Sequence, residues 1–418
     1  MAHSHSHDIP DYGPPRRGLA ALLTVIVLVI AGLAIAAMVV LWPDSGKVPH
    51  DKNPYGGKGV STISATVTKV TPFNCHSNGG EGPDGQATVK GDCAHIAIKV
   101  KGGTATLDLD PTRYKAGINV GDGISVVKFA PPGQTPTYQF LDYQRGVPLI
   151  ALAAIFAVVV IAIARWRGLF AMVGIGITLL ALTKFILPAF LAGESPVIVT
   201  VVGATAIMIV VLYLTHGVSI RTTAALFGTL FGIVLTAVIG LAATGWTNLS
   251  GVGSEDDQTL IAVVPTIHLS GVVAASMVIA GLGVLNDVTV TQASAVWEMR
   301  ALQPLARGAT IFASAMRIGR DHIASSIYTL VFAYAGSAMT ILLLITAYQR
   351  SLTEMATTEE IADEIVRALV GAIGLVLAVP ITTVIAVWLA PKPPDETDEP
   401  ADTPPTPTPG RRRAVRTA

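Results

Sequence analysis

The stretch MRIGRDHIASSIYTLVFAYAG, residues 316–336, begins with several ionisable side chains and becomes apolar with no spacer. The apolar character continues to Ala347, which is long enough for a membrane-crossing helix of about 20 residues. The whole chain shares this character, since 51% of its 418 residues are hydrophobic and only 13% are charged. Soluble domains carry about 25% charged residues. The sequence therefore predicts a polytopic α-helical membrane protein.

About eight apolar runs have the length of a membrane span. The first, Gly18–Trp42, follows Arg16 and Arg17. A signal peptide has a shorter apolar region of about 7–15 residues, so this run predicts an uncleaved signal anchor. The other predicted spans are residues 146–164, 168–191, 196–215, 222–243, 262–285, 323–347 and 366–390.

Arginines mark the connections that we expect on the cytoplasmic side, where short loops of membrane proteins concentrate Lys and Arg. The outer connections AGES, residues 192–195, and TGWTNLSGVGSEDDQ, residues 244–258, contain neither residue type. This distribution predicts that both termini are cytoplasmic and that residues 43–145 lie outside. The connections on the other side contain Arg165, Arg167, Arg221, Arg300, Arg307, Arg317 and Arg320.

Five segments follow from this orientation. The C-terminal segment, residues 391–418, is rich in proline and charged residues. It has almost nothing apolar to bury, so we expect it to be disordered. The predicted segments are a disordered cytoplasmic N-terminus (1–17), a signal-anchor span (18–42), an extracytoplasmic β domain (43–145), a seven-span helical membrane domain (146–390) and a disordered cytoplasmic tail (391–418).

Alternating apolar and polar residues indicate β-strands in the outer domain. The segment AHIAIKV places Ile96, Ile98 and Val100 on one face, and Gly102 and Gly103 then predict a hairpin turn. About five short strands suggest a small closed barrel, for which an OB-like fold is one candidate.

Both cysteines of the chain, Cys75 and Cys93, lie in this outer domain. Disulfides persist outside the cytoplasm, so we predict a Cys75–Cys93 bridge. The loop between them carries His76, Glu81 and Asp84, but their spacing matches no metal template. A solvated loop is therefore the preferred interpretation over a metal site.

Two polar stripes mark the sixth and seventh predicted spans. On a helix, Asp287, Thr291, Ser294 and Glu298 share one face beyond span six. Charges in a bilayer cost several kcal/mol unless they are paired or hydrated. We therefore expect Asp287 and Glu298 to pair with arginines of the second stripe, which comprises Arg317, Arg320, Asp321, Ser325 and Tyr328.

Simpler interpretations apply to several charged residues. Arg300 and Arg307 fit ordinary positions among lipid headgroups, and Asp321 fits a helix N-terminus. Lys184 and Arg367 fit side chains that extend from a span end to the interface. The pair Gly228 and Gly232 favours close helix packing.

Two stretches resemble the YibE/F-like family of bacterial multi-pass membrane proteins. One is GLGVLNDVTVTQASAVWE, residues 281–298, which is similar to the family's Gly-rich turn, Asp and Ser-containing helix ending in Glu. The other lies within residues 316–336, where Tyr328 stands in place of a family Asn. The matching residues there are Ile318, Gly319, Arg320, Asp321, Thr329, Leu330, Ala333, Tyr334 and Gly336.

This resemblance covers roughly residues 146–390, and an N-terminal anchor with a β domain is its usual companion. It implies a multi-pass protein of the bacterial plasma membrane. It implies no established biochemical activity.

The charge pattern favours a transporter or permease for an unidentified small solute or ion, because intramembrane ionisable groups often mark such pathways. Asp287 would bind the proton or cation, with Arg317 and Arg320 as counter-charges or anion contacts. The alternative is a non-transporting scaffold or accessory subunit whose outer domain, residues 43–145, binds an envelope protein. In both cases the lipid bilayer is a partner.

Other function classes lack a matching pattern in the sequence. The chain has no HExxH motif, P-loop or Gly-x-Ser-x-Gly motif, so we expect neither an enzyme nor a bound cofactor or metal. The formal net charge is zero and no nucleic-acid motif occurs, so we expect no nucleic-acid partner.

Overall fold

The computed structural model describes most of the chain. Residues 1–16 and 392–418, which we predict to be disordered, lie outside the described residues, as do the side chains of His76, Glu81 and Asp84. The described residues are 17–49, 59–77, 80–81, 87–88, 90–131, 133–349 and 351–391.

Helices account for most of the described structure. A π-helical turn, Leu182–Ile186, directly joins the third helix to the fourth. The helices are α1 (Arg17–Val40), α2 (Pro111–Lys115), α3 (Gly146–Ala181), α4 (Leu187–Leu191), α5 (Pro196–His216), α6 (Ile220–Trp246), α7 (Glu255–Val263), α8 (Leu269–Leu302), α9 (Gly308–Ser337), α10 (Met339–Ala347), α11 (Leu352–Ala356) and α12 (Glu359–Leu389).

The chain forms two compact units. One contains Met1–Val40, Thr200–Gly251 and Ser270–Ala418, and the other contains Leu41–Val199 and Val252–Leu269. The first unit holds most of the long apolar helices. The second holds the β domain.

The β domain is built on one five-stranded antiparallel sheet with the order β5-β4-β1-β6-β7. The sheet is not closed, because no hydrogen-bonded ladder joins β5 to β7 in the described part of the chain. A separate two-stranded sheet pairs β2 with β3. The strands are β1 (Val60–Ser77), β2 (Gly80–Glu81), β3 (Ala87–Thr88), β4 (Gly91–Val100), β5 (Gly103–Leu109), β6 (Gly123–Phe129) and β7 (Thr137–Tyr143).

The predicted strand alternation is confirmed by burial. Ile96 and Ile98 are fully buried, and they pack with apolar residues of the other four strands of this sheet. Gly102 adopts a φ of 111°, a left-handed conformation that glycine adopts without strain, at the predicted hairpin turn. The predicted Cys75–Cys93 disulfide is present and joins β1 to β4, with the two Cα atoms 5.7 Å apart.

A charged turn leads from β7 into α3. Arg145 Nη1 donates to Asp142 Oδ1 at 2.8 Å. The backbone N–H of Tyr143 and the Arg145 guanidinium together hold the pKa of the Asp142 carboxyl below its ordinary value. A lowered pKa keeps the carboxylate charged to lower pH than an isolated Asp permits, so this turn keeps its ion pair in mild acid.

Six helical segments are long and apolar enough to cross a membrane, or seven if a bent pair counts as one span, among the described residues. The bent pair is α9 and α10, whose axes differ by 61°. The predicted span 323–347 corresponds to the second half of α9 together with α10, and the helix breaks at Ala338 within it. The segments are Gly18–Val40, Gly146–Leu191, Pro196–His216, Ile220–Trp246, Leu269–Leu302 and Glu359–Leu389.

The run Gly146–Leu191 bends sharply at Arg165. This residue has φ 54° and ψ −131°, which is not helical. A Cβ atom built on Gly168 would lie 2.5 Å from the carbonyl oxygen of Val160. In a straight helix those residues would be separated by about 12 Å along the axis. The bend falls in the connection predicted between residues 164 and 168.

Glycines and threonines bring α6 and α12 into close contact. A Cβ on Gly228 would lie 2.0 Å from Thr382 Oγ1, and a Cβ on Gly374 would lie 2.2 Å from Thr236 Oγ1. Between these contacts, a Cβ on Gly232 would lie 2.8 Å from Leu285 Cδ2 of α8 and 3.4 Å from Ala378 Cβ of α12. The packing predicted from Gly228 and Gly232 is thus confirmed, because small residues allow the two backbones to approach.

We predict that Gly228→Ala destabilises the helical unit by about 1–3 kcal/mol, the usual cost of overpacking. The new methyl group would overlap the Thr382 side chain, so adding Thr382→Ala should restore part of the loss. The measurement is the free energy of unfolding of the detergent-solubilised protein in an SDS titration. Gly245→Ala in the same helix is the matched control, because its Cβ meets nothing within 4 Å. Equal effects of both substitutions would contradict the packing argument.

Candidate functional site

The acidic stripe lies on α8, which runs without a break from Leu269 to Leu302. Asp287 and Glu298 are exposed, whereas Thr291 and Ser294 are partly buried. The residues facing inward are Val288, Thr289, Gln292, Ala293 and Val296. The predicted stripe therefore borders the buried face of α8.

A regular row of small and apolar residues fixes which side of α9 is buried. Its members are separated by four or seven residues, that is by one or two helical turns, so they share one helix face. Its members are Ile311, Ala315, Gly319, Ser326 and Leu330. The predicted site residues Arg317, Arg320, Asp321 and Tyr328 all lie outside this row and are exposed.

Gly319 lies at the tightest contact between α8 and α9. Gln292 is only 2% exposed, and its Nε2 donates to the backbone oxygen of Ala315 at 3.0 Å. A Cβ atom on Gly319 would lie 2.9 Å from Gln292 Oε1 and equally close to Val379 of α12. A larger residue at this position would therefore force the side chain of Gln292 or Val379 to move.

This contact brings His322, one turn beyond Gly319, to Asp287. His322 Nε2 lies 3.3 Å from Asp287 Oδ2, an ion-pair distance that falls outside hydrogen-bond geometry. The Asp287 side chain is 68% exposed and that of His322 is 30% exposed. A pair with this exposure contributes only about 0–1 kcal/mol to stability.

The predicted carboxylate–arginine pairing is not found among the described residues. Asp287 approaches His322, and Arg317 Nη2 contacts Ser314 Oγ at 3.4 Å on its own helix. The physical reason is the rotation of α9 about its axis. With Gly319 turned inward, His322 lies on nearly the same side of α9 and faces α8. Arg317 and Arg320 lie on other sides of the helix, away from α8.

Two further polar groups on α8 were not singled out by sequence reasoning. Thr289 Oγ1 lies 2.6 Å from Thr229 Oγ1 of α6, and both side chains are fully buried. Asn286 Oδ1 is also buried and has no hydrogen-bond partner in the described structure. The Asn-Asp dipeptide after an apolar run is the only sequence signal for this second group.

Arg367 forms ion pairs along its own helix, which the sequence interpretation did not anticipate. It folds back along α12, where its Nη1 donates to Glu364 at 2.9 Å and its Nη2 bonds Asp363. All three side chains are mostly buried, with exposed fractions of 19–25%. The i, i+3 and i+4 spacing in ADEIVRA placed both carboxylates within reach of the guanidinium.

In the described part of the chain, no group of three His, Cys, Asp or Glu side chains is placed to hold a metal ion. The chemistry available near Asp287 is therefore that of a carboxylate and an imidazole bordered by exposed guanidinium groups. Carboxylates and imidazoles bind and release protons, and guanidinium groups bind anions.

A family model described as YibE/F-like protein matches residues 152–392. The chain belongs to the YibE/F-like family. The matched region contains the whole of α8, α9 and α12, so the Asp287–His322 pair lies in the part that defines YibE/F-like membership. No curated protein and no solved structure matches the chain significantly.

We predict that Gly319→Ala destabilises the helical unit by about 1–3 kcal/mol and separates His322 from Asp287, because the new methyl group overlaps Gln292. Gln292→Ala in the same chain should relieve part of the overlap. The measurement is again unfolding in SDS, with Gly336→Ala as the matched control on α9, where a Cβ meets nothing within 4 Å. Full stability of the Gly319→Ala protein would contradict the proposed contact.

Proposed function

We propose that this YibE/F-like protein is a transporter or permease for a small solute or ion, and that Asp287 and His322 form its central site. The observation that carries the proposal is the position of this pair, with its exposed carboxylate, near the middle of two long helices. At 1.5 Å per residue, Asp287 lies roughly 27 Å along α8 and His322 roughly 21 Å along α9, near the middle of each.

A pair at that depth requires water or a bound solute. The hydrocarbon core of a bilayer is about 30 Å thick, so in a bilayer centred on these two helices the pair would lie far from both surfaces. An exposed carboxylate there is costly against lipid, and such groups normally face a water-filled cavity or a bound ion. The small contribution of the pair to stability also argues against a purely structural role.

Unpartnered polar atoms support the same interpretation. His322 Nε2 and Asn286 Oδ1 are buried and lack hydrogen-bond partners among the described residues. Buried polar groups are normally hydrogen-bonded, and each exception calls for a water, an ion or a functional explanation. A hydrated or solute-binding site beside Asp287 would satisfy both atoms.

Exposed charges on α9 supply the remaining groups of the proposed pathway. Arg317, Arg320 and Asp321 lie within two turns of His322 and are all exposed. In the proposal, the two guanidinium groups act as counter-charges to Asp287 or as contacts for an anion. The positions of Thr291, Ser294 and Glu298 extend the polar border along α8 toward its C-terminal end.

The proposed setting is the plasma membrane of a bacterium, with both termini in the cytoplasm. The Arg165 bend supports two crossings within residues 146–191, which with the bent α9–α10 pair gives eight spans. We also propose an OB-like fold for the β domain. Without the β2–β3 insertion, its strand order is third, second, first, fourth, fifth, and α2 lies between the third and fourth strands.

A scaffold role is the second candidate function. Its support is an exposed cluster on the β domain, where Phe73 stacks on His95 with ring centroids 3.8 Å apart. His95 Nδ1 also lies 2.5 Å from Asp108 Oδ1. In this second proposal, the aromatic pair and its polar neighbour form the contact for an envelope protein. In that case the bundle would anchor the domain and the protein would carry no flux.

We predict that the purified protein, reconstituted in liposomes, conducts or exchanges ions under imposed pH, Na⁺ or K⁺ gradients, and that Asp287→Asn abolishes the flux. The reason is that the amide cannot bind a proton or balance a cation. Electrical currents and an internal pH dye should be recorded together, so that electroneutral exchange is also detected.

Asp256→Asn is the matched control. It removes the same charge from an exposed residue of α7, which is not part of the proposed site. It should conduct like the unmodified protein. Flux through Asp287→Asn at the unmodified rate would remove Asp287 from the mechanism. Absence of flux in all three proteins, with an envelope protein retained by residues 43–145, would favour the scaffold.

A further inference from the structure

A cavity of about 600 Å³ lies where the C-terminal ends of α8 and α12 meet the start of α9. Its volume is in the range of small-ligand sites. Arg300 and Arg307 line it, and none of its lining residues is acidic. Its apolar wall includes Leu305, Phe312, Val387 and Trp388. The cavity therefore combines two cations with an apolar surface.

The Arg300 guanidinium is fixed by two hydrogen bonds, but one of its N–H groups has no acceptor among the described residues. It is only 8% exposed, and its Nη1 donates to the backbone oxygens of Ala306 at 2.8 Å and Pro304 at 3.3 Å. Its Nε is buried with no hydrogen-bond partner in the described structure. A buried guanidinium without a carboxylate is costly, so the cavity favours an anion that would neutralise it.

The cavity lies at a proposed membrane boundary. Trp388 is 69% exposed at the end of α12, and tryptophans are enriched at the level of lipid headgroups. Leu302 and Leu305 are also strongly exposed beside the two arginines. Exposed leucines next to arginines suit a surface that meets acyl chains and headgroups together.

We propose that this cavity binds an anionic phospholipid, with the phosphate on Arg300 and Arg307 and an acyl chain along Phe312, Val387 and Trp388. Guanidinium groups bind phosphate through paired hydrogen bonds, and basic pockets between membrane helices bind anionic headgroups. The proposal is independent of any transported solute, because the cavity does not include Asp287 or His322.

Lipid suits the cavity better than the chain's own acidic tail. The segment DETDE, residues 395–399, follows α12 closely and has the opposite charge to the cavity. However, this segment has no apolar side chain to cover Phe312 or Trp388. A lipid satisfies both the charge and the apolar wall.

The test is native mass spectrometry of the full-length protein in detergent, titrated with dioleoylphosphatidylglycerol or dioleoylphosphatidylcholine. We expect preferential retention of the anionic lipid. Arg307→Gln should weaken it by about fivefold, since one cation near a lipid surface contributes about 1 kcal/mol. Ala309→Trp should fill the cavity and remove the preference. Arg167→Gln is the matched control and should bind like the unmodified protein.

Several results would overturn the proposal. Equal binding of the two lipids, or of the anionic lipid to the Arg307→Gln and unmodified proteins, would show nonspecific annular lipid only. Complete displacement by soluble glycerol 3-phosphate would show a site for a free phosphate. Tighter lipid binding after deletion of residues 393–418, by about fivefold or more, would place the acidic tail in the cavity.

Discussion

The contact between Gly319 and Gln292 determines the arrangement of the candidate site. Because a side chain at position 319 would overlap both the Gln292 amide of α8 and Val379 of α12, α9 packs with this glycine turned inward. That rotation brings His322 to Asp287 and leaves Arg317 and Arg320 on exposed sides of the helix. The buried hydrogen bond from Gln292 to the Ala315 carbonyl fixes the same contact from the α8 side.

The helical unit as a whole relies on the same kind of contact. Glycines oppose threonines between α6 and α12, and paired threonines join α6 to α8. In a membrane, apolar surface alone provides little attraction between helices, so close backbone approach and buried hydroxyl contacts carry more of the packing. Charged residues of this unit are paired within one helix, as Arg367 is, exposed beside Asp287, or buried against backbone carbonyls, as Arg300 is.

Local patterns made much of this structure predictable. Alternation of Ile96 and Ile98, the Gly102–Gly103 turn and the two cysteines identified the strands and the disulfide, because these features depend on neighbours in sequence. Gly228 and Gly232 identified a packing face for the same reason. The residues of the YibE/F-like stretches identified the family.

The partner of Asp287 was not predictable in this way. Which side chain of α9 reaches α8 depends on the rotation of α9, and that rotation is fixed by a contact between residues far apart in sequence. The break at Ala338 directly follows Gly336 and Ser337, a type of pair at which helices kink, but no proline marks it. The ion pairs of Arg367 were also missed, although ADEIVRA provides two carboxylates within reach on its own helix.

The most direct test of the central claim is whether Asp287 lies in water within the membrane. Cys75 and Cys93 are bonded to each other, so an introduced cysteine is the only free thiol. Asp287→Cys should react with a charged, membrane-impermeant thiol reagent in sealed vesicles, from at least one side. Ile155→Cys, on an exposed apolar stretch of α3, should not react. Failure of position 287 to react from either side, like position 155, would contradict a hydrated site.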